Sequence, residues 1–150
     1  MIRSCPSCGK KNRIPAERLT DEARCGACKA TFPPLDAPVD ADPSLFDEVV
    51  RGATVPVLVD FWAAWCDPCR MAAPEVERTA AAMAGRAVVL KVDTEAHPDL
   101  AARYGVQAIP NFVVLRNGQV VLQQPGFARQ AQMEEWLRRA GGTSSRPVAG

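Results

Sequence analysis

Histidine is almost absent from this 150-residue sequence, with His97 as its one occurrence. A nucleophile activated by a neighbouring imidazole therefore has little to draw on. His97 itself precedes Pro98 and reads as a cap at a helix start, not as a metal ligand. An excess of charge of one sign is also missing. The formal net charge is +1, so the whole chain exerts no strong pull toward nucleic acid or membrane. The split is uneven: residues 1–36 carry seven Lys/Arg against four Asp/Glu (+3), and the remainder eleven against thirteen (−2). Four cysteines of the first part held as thiolates on a zinc ion would bring that segment back near +1, which leaves nucleic acid an unexpected partner. No apolar run reaches membrane-spanning length, and Met1-Ile2-Arg3-Ser4-Cys5 lacks the apolar stretch of an export signal. The expectation is a cytoplasmic protein without a membrane partner, in which stable structural disulfides are disfavoured because thiols are kept reduced. Large apolar side chains are scarce in residues 1–32, mainly Ile2, Ile14, Leu19 and Phe32, so this stretch needs a staple to fold.

What the sequence does contain is six cysteines in three C-x-x-C pairs: Cys5/Cys8, Cys25/Cys28 and Cys66/Cys69. Beyond that recurrence no internal repeat is visible. The first two pairs match the C-x2-C-x15–20-C-x2-C template of a four-thiolate site. Four soft thiolates suit tetrahedral zinc, and a closed shell makes such a metal structural. Glycines near each pair, Gly9 and Gly26, permit tight knuckles whose amides can stabilise sulfur charge. A metal-free disulfide arrangement is the alternative. These features define a zinc-binding module over 1–32, followed by a stiff connector over 33–38 with prolines at 33, 34 and 38.

From residue 39 to 140 the pattern alternates. Helices are expected at Pro43–Arg51, Asp67–Gly85 (bent near Pro74), Pro98–Tyr104 and Arg129–Arg139. Nearly continuous apolar runs at 56–62 and 87–92 read as strands buried on both faces. Asn117-Gly118 between two further apolar runs signals a hairpin, so the sheet is mixed, with helices on both faces. Residues 141–150 read as a flexible tail.

The third cysteine pair follows a buried strand and opens a helix. With Cys66 at the N-cap, Asp67, Pro68 and Cys69 are the first helical residues. Pro68 has no N–H, so the Cys69 amide is the natural donor to the Cys66 sulfur. That bond and the helix's positive end favour a thiolate. Spacing of three puts both sulfurs on one helix face, close enough for a disulfide. The pattern points to thiol–disulfide exchange, with Cys66 attacking and Cys69 resolving. Two buried structural cysteines are the bland alternative. Asp60, alone in an apolar strand, is costly there unless paired or functional.

Val59-Asp60-Phe61-Trp62-Ala63-Ala64-Trp65-Cys66-x-Pro68-Cys69-Arg70 resembles the active-site signature of the thioredoxin family. Lys91-Val92-Asp93, Tyr104-Gly105-Val106-Gln107-Ala108-Ile109-Pro110 and Pro125-Gly126-Phe127 match it in order and spacing. The pairing of such a domain with a four-cysteine ribbon resembles the zinc-containing bacterial thioredoxins grouped as thioredoxin 2. The resemblance implies the thioredoxin fold, broad reduction of disulfide-containing proteins, and thioredoxin reductase as electron donor, with no bound organic cofactor. It implies that Asp60 handles the proton of Cys69, that Lys91 lies near that carboxylate, and that the Ile109–Pro110 bond is cis. It further implies that Trp65, Ile109, Pro110 and Gly126 line the substrate groove, while Trp62 is structural. For Lys91 a solvated strand end, and for Trp65 ordinary packing, stay open. The rival class is a ribbon that binds a partner or senses redox state, with the redox domain as passenger.

Two positions depart from the family pattern: Asp67 stands where glycine is common, and Asn111 where threonine is common. A carboxylate beside the nucleophile suits the helix dipole but repels a thiolate. Asp67→Gly is therefore expected to make Cys66 ionise at lower pH. Thiolate absorbance of the reduced protein tests this, and unchanged or reversed titration removes Asp67 as a tuning residue.

Overall fold

A computed structural model of the chain describes residues 1–142. The tail expected over 141–150 lies, apart from its first two glycines, outside the described residues. The first 32 residues form two small antiparallel hairpins. β1 (Ile2–Ser4) pairs with β2 (Lys11–Arg13), a short 3-10 turn covers Ala16–Arg18, and β3 (Ala23–Arg24) pairs with β4 (Thr31–Phe32). Two-stranded pairs this short are not stable alone. They are anchored from below: Ile14, Leu19 and Phe32 are buried in the same cluster as Phe46, Val49 and Val50 of the first long helix. Leu35, inside the proline-rich stretch, joins that cluster, and its N–H donates to the Leu19 carbonyl at 2.9 Å.

β5 (Val39–Asp40) leads into α1 (Pro43–Gly52). Asp42 caps α1 by accepting the Leu45 N–H at 2.8 Å, and Pro43 occupies a first-turn position where no N–H is needed. At the other end, a Cβ on Gly52 would come within 2.7 Å of the Ala16 Cβ. Glycine is what lets the ribbon's 3-10 turn lie against this helix.

The remaining elements are β6 (Val57–Trp62), α2 (Asp67–Ala82), β7 (Val88–Asp93), α3 (Pro98–Arg103), β8 (Asn111–Arg116), β9 (Gln119–Pro125) and α4 (Gln130–Leu137). The sheet order is β5-β7-β6-β8-β9; β7 runs parallel to β5 and β6, and β8 antiparallel to β6 and β9. Asn117 and Gly118, at φ 53° and 78°, turn β8 into β9. Central β6 is covered on both faces, which is why its sequence shows no polar alternation apart from Asp60. Its residues still serve two layers. Val57, Val59 and Phe61 pack with α1, α3 and the ribbon, whereas Leu58 packs with α2 and α4.

The expected mixed sheet is present, with differences at its margins. β5 was not expected, because two residues are too few to show a period. α2 stops at Ala82 instead of Gly85 and runs through Pro74, and the chain turns away through Gly85 at φ 85°. α4 passes into a wider turn over Arg138–Gly142, where the Arg116 guanidinium donates to the Ala140 carbonyl at 2.7 Å.

Candidate active site and cysteine cluster

Cys66 is the N-cap of α2, and its sulfur accepts the Cys69 N–H at 3.2 Å. Pro68, with no N–H, leaves that donor uncontested. Cys66 and Cys69 are joined as a disulfide with their Cα atoms 5.2 Å apart, so the chain is described in its oxidised form. Both residues are nearly covered, at 3% and 4% exposure. Facing Cys66, the Ile109 carbonyl oxygen lies 3.7 Å from its sulfur, and the Ile109–Pro110 peptide is cis. The Gly126 N–H donates to the Pro110 carbonyl at 2.7 Å, which ties this strip to the end of β9. Trp65 stands out at 66% exposure, with its indole N–H donating to Glu95 Oε2 at 3.3 Å.

Asp60 sits in β6 between Lys91 of β7 and Phe112 of β8, on the side covered by α2. It is 2% exposed, and its Oδ1 has no protein hydrogen-bond partner among the described residues. A cavity of about 160 Å3 is lined by Asp60, Trp62, Cys69, Arg70, Ala73 and Lys91, so the carboxylate and the second cysteine share one space. Burial pushes the Asp60 carboxyl up to about 7, against the opposing pull of the Lys91 charge. Lys91 is half-buried, with its ammonium 4.7 Å from the centre of the Trp62 ring. That contact replaces the picture of a solvated strand-end lysine, and it gives Trp62 a place in the site wall as well as in the packing.

Four neighbours were not legible as site residues: Arg70, Asn111, Glu95 and Gln123. Arg70 donates to the Asp67 carboxylate and to the Ala64 carbonyl, bracketing Trp65 and Cys66. The i,i+3 spacing of Asp67 and Arg70 on a helix was the available signal. This pairing sets a positive charge against the Asp67 carboxylate at the head of α2. Asn111 is buried; its Nδ2 donates to the Ala108 carbonyl at 3.3 Å and its Oδ1 accepts from Gln123 at 3.1 Å, holding the loop before Pro110. Glu95 and Gln123 come from distant segments and carry no local signature. His97 occupies the N-cap of α3, but its side chain makes no cap bond; its backbone carbonyl accepts the Leu100 N–H at 3.2 Å instead.

At the amino terminus, the Sγ atoms of Cys5, Cys8, Cys25 and Cys28 lie within 4.8 Å of one another, and none is disulfide-bonded. The Cys5–Cys28 and Cys8–Cys25 sulfur pairs are each 3.7 Å apart. Four sulfurs at about 2.3 Å from one tetrahedral ion are separated by about 3.8 Å, so the donor set fits a metal such as zinc. N–H groups of Ser7 and Ala27 reach the sulfurs of Cys5 and Cys25, each at 3.3 Å. Backbone N–H bonds, that of Cys28 foremost, draw the Cys25 thiol below its ordinary pKa. The knuckle turns correct one expectation. Gly9 takes the left-handed conformation in the first (φ 79°), but in the second it is Lys29 (φ 69°), not Gly26.

Comparison with known proteins agrees with this geometry. The thioredoxin family model matches residues 36–139, and the model of the thioredoxin 2 amino-terminal zinc ribbon matches residues 4–30. Thioredoxin C-3 of Corynebacterium nephridii is 37% identical over 137 residues, covering 91% of this chain and 93% of that protein. Thioredoxin 1 of Chlorobaculum tepidum is 40% identical over 94 residues, 63% of this chain and 93% of its own. Among solved structures, a mutant thioredoxin from Halobacterium salinarum has a TM-score of 0.67 at 30% identity, covering 75% of this chain and 96% of that one. Chloroplastic thioredoxin z has a TM-score of 0.65 at 28% identity, covering 69% and 94%. The two family models together span most of the chain, and one relative aligns with it over nearly its full length. The chain is a thiol–disulfide oxidoreductase and belongs to the thioredoxin family, with the amino-terminal ribbon of thioredoxin 2.

Proposed function

We propose that this protein reduces protein disulfides through its Cys-x-Pro-Cys dithiol. The observation that carries the reading is the Cys69 N–H directed at the Cys66 sulfur at the head of α2. In the reduced chain the Cys66 thiolate attacks one sulfur of a substrate disulfide. The substrate S–S bond breaks, a Cys66–substrate bond forms, and the other substrate sulfur leaves as a thiolate. Cys69 then attacks Cys66, its proton passing to Asp60 across the cavity they share. The second substrate thiol is released, and the dithiol has given up two electrons and become the internal disulfide. Thioredoxin reductase returns the electrons.

Cys66 is recessed, so the substrate must present its disulfide on a projecting segment. Trp65, Ile109, Pro110 and Gly126 form the groove that receives that segment, with the Ile109 carbonyl oxygen beside the Cys66 sulfur. Asp67, Pro68 and Lys91 tune the two reacting groups. Residues 1–32 form a zinc module in which Cys5, Cys8, Cys25 and Cys28 hold a structural ion; 33–38 connect it to the catalytic domain of 39–140. A reducing compartment such as the cytoplasm suits both the dithiol and the metal thiolates.

Cys66→Ser is expected to abolish reduction of insulin disulfides, whereas Cys69→Ser still attacks and accumulates a mixed disulfide. A Cys66→Ser protein that keeps activity, or a Cys69→Ser protein that traps nothing, contradicts the assigned roles. For Asp60, the folded pKa of about 7 lies above the ordinary 3.8, so the folded chain holds a proton that the unfolded chain gives up. Stability then falls as pH rises from the lower value through the upper one. Asp60→Asn removes this loss, so its stability advantage should grow by about 3 kcal/mol between about pH 5 and about pH 8.5. Parallel urea-unfolding profiles for the two oxidised proteins across that range would show that Asp60 is not held protonated.

A further inference from the structure

The ribbon is a structural repeat whose two halves differ at one informative place. In each half the first cysteine's N–H donates to the carbonyl five residues on, Cys5 to Lys10 and Cys25 to Ala30, both at 2.8 Å. In each half the residue four positions after that cysteine donates back to its carbonyl, Gly9 at 2.9 Å and Lys29 at 3.1 Å. The halves part four residues beyond the second cysteine. One half has Phe32 there, buried in the core, and the other has Asn12, which turns toward the opposite knuckle.

Asn12 makes three contacts. Its Oδ1 accepts the Gly26 N–H at 3.0 Å, and its Nδ2 donates to the Lys10 carbonyl at 2.9 Å. The same Nδ2 lies 3.6 Å from the Cys25 sulfur, within hydrogen-bond range for that acceptor. The two backbone partners fix which way the amide faces: only a carbonyl oxygen can serve Gly26 N–H, and only the NH2 can serve the Lys10 carbonyl. One amide hydrogen is left over, and it faces sulfur. Asn12 thus joins the first hairpin to the turn of the second and offers Cys25 a side-chain donor besides the Ala27 N–H.

We propose that Asn12 is a positioning residue of the metal site, a clamp that holds the second knuckle on the first and slows loss of the ion through its N–H···S bond to Cys25. The proposal rests on the zinc reading above. An ion leaves when the knuckles separate, and the Asn12–Gly26 bond spans that separation. The N–H···S bond disperses the charge of a ligating thiolate, and loss of such an outer partner typically costs about 10–100-fold in metal affinity.

The test uses the full reduced chain loaded with one equivalent of zinc and follows transfer of the metal to a chromophoric chelator. Asn12→Asp keeps an acceptor for Gly26 but has no N–H, and Asn12→Ala keeps neither. Both should release zinc about tenfold faster than the parent or more. In the cobalt-loaded proteins, loss of the N–H···S bond should shift the sulfur-to-cobalt charge-transfer band of Asn12→Asp to lower energy. Parent-like release in Asn12→Asp, or an unshifted band, overturns the role assigned to the amide, whatever Asn12→Ala does. Insulin reduction reports whether each variant is folded; if Asn12→Ala fails it, Asn12→Asp decides. A parent chain that takes up no zinc overturns the zinc reading and this proposal together, whereas normal uptake with unchanged release overturns only the proposal.

Discussion

A helix beginning at a cysteine sets one backbone N–H against one sulfur, and the remaining features of the site are arranged around that bond. The Cys69 amide donates to Cys66 because Pro68 cannot and because the N-cap position turns the Cys66 side chain back over the first turn. The same geometry brings Cys69 into bonding range of Cys66, so both sulfurs sit on a single turn of helix. The Ile109 carbonyl opposite Cys66 and the Arg70 guanidinium beside Asp67 complete the immediate surroundings.

The sheet supplies a second feature, a buried carboxyl that is not permanently charged. Asp60 lies in the central strand of the sheet, and burial outweighs the nearby Lys91 charge in setting its protonation. Such a carboxyl weakens the fold as pH rises, and it shares a cavity with the second cysteine of the pair. The ribbon contributes to the other face of the same sheet. Its buried side chains continue the cluster of α1 and α3, so metal binding at the cysteines and packing beneath the catalytic domain are parts of one structure.

Much of this was written locally. The three C-x-x-C pairs, the strand–cap–helix context of Cys66, the lone Asp60 in an apolar run and the Asn117-Gly118 turn each rest on neighbours in sequence. What escaped depends on distance along the chain. Glu95 reaches Trp65 and Gln123 reaches Asn111 only after the sheet is assembled. β5 is too short for a pattern, and the left-handed residue of the second knuckle is a lysine because turn geometry overrides the glycine preference there. Lys91 was ambiguous for the same reason: its neighbours Trp62 and Asp60 belong to another strand.

The most direct test of the central claim is the rate at which each cysteine of the reduced, zinc-loaded protein is alkylated by iodoacetamide near neutral pH, resolved by peptide mass. An ionised sulfur at the head of α2 predicts that Cys66 reacts more than about tenfold faster than Cys69. Equal, slow labelling of the two would contradict it.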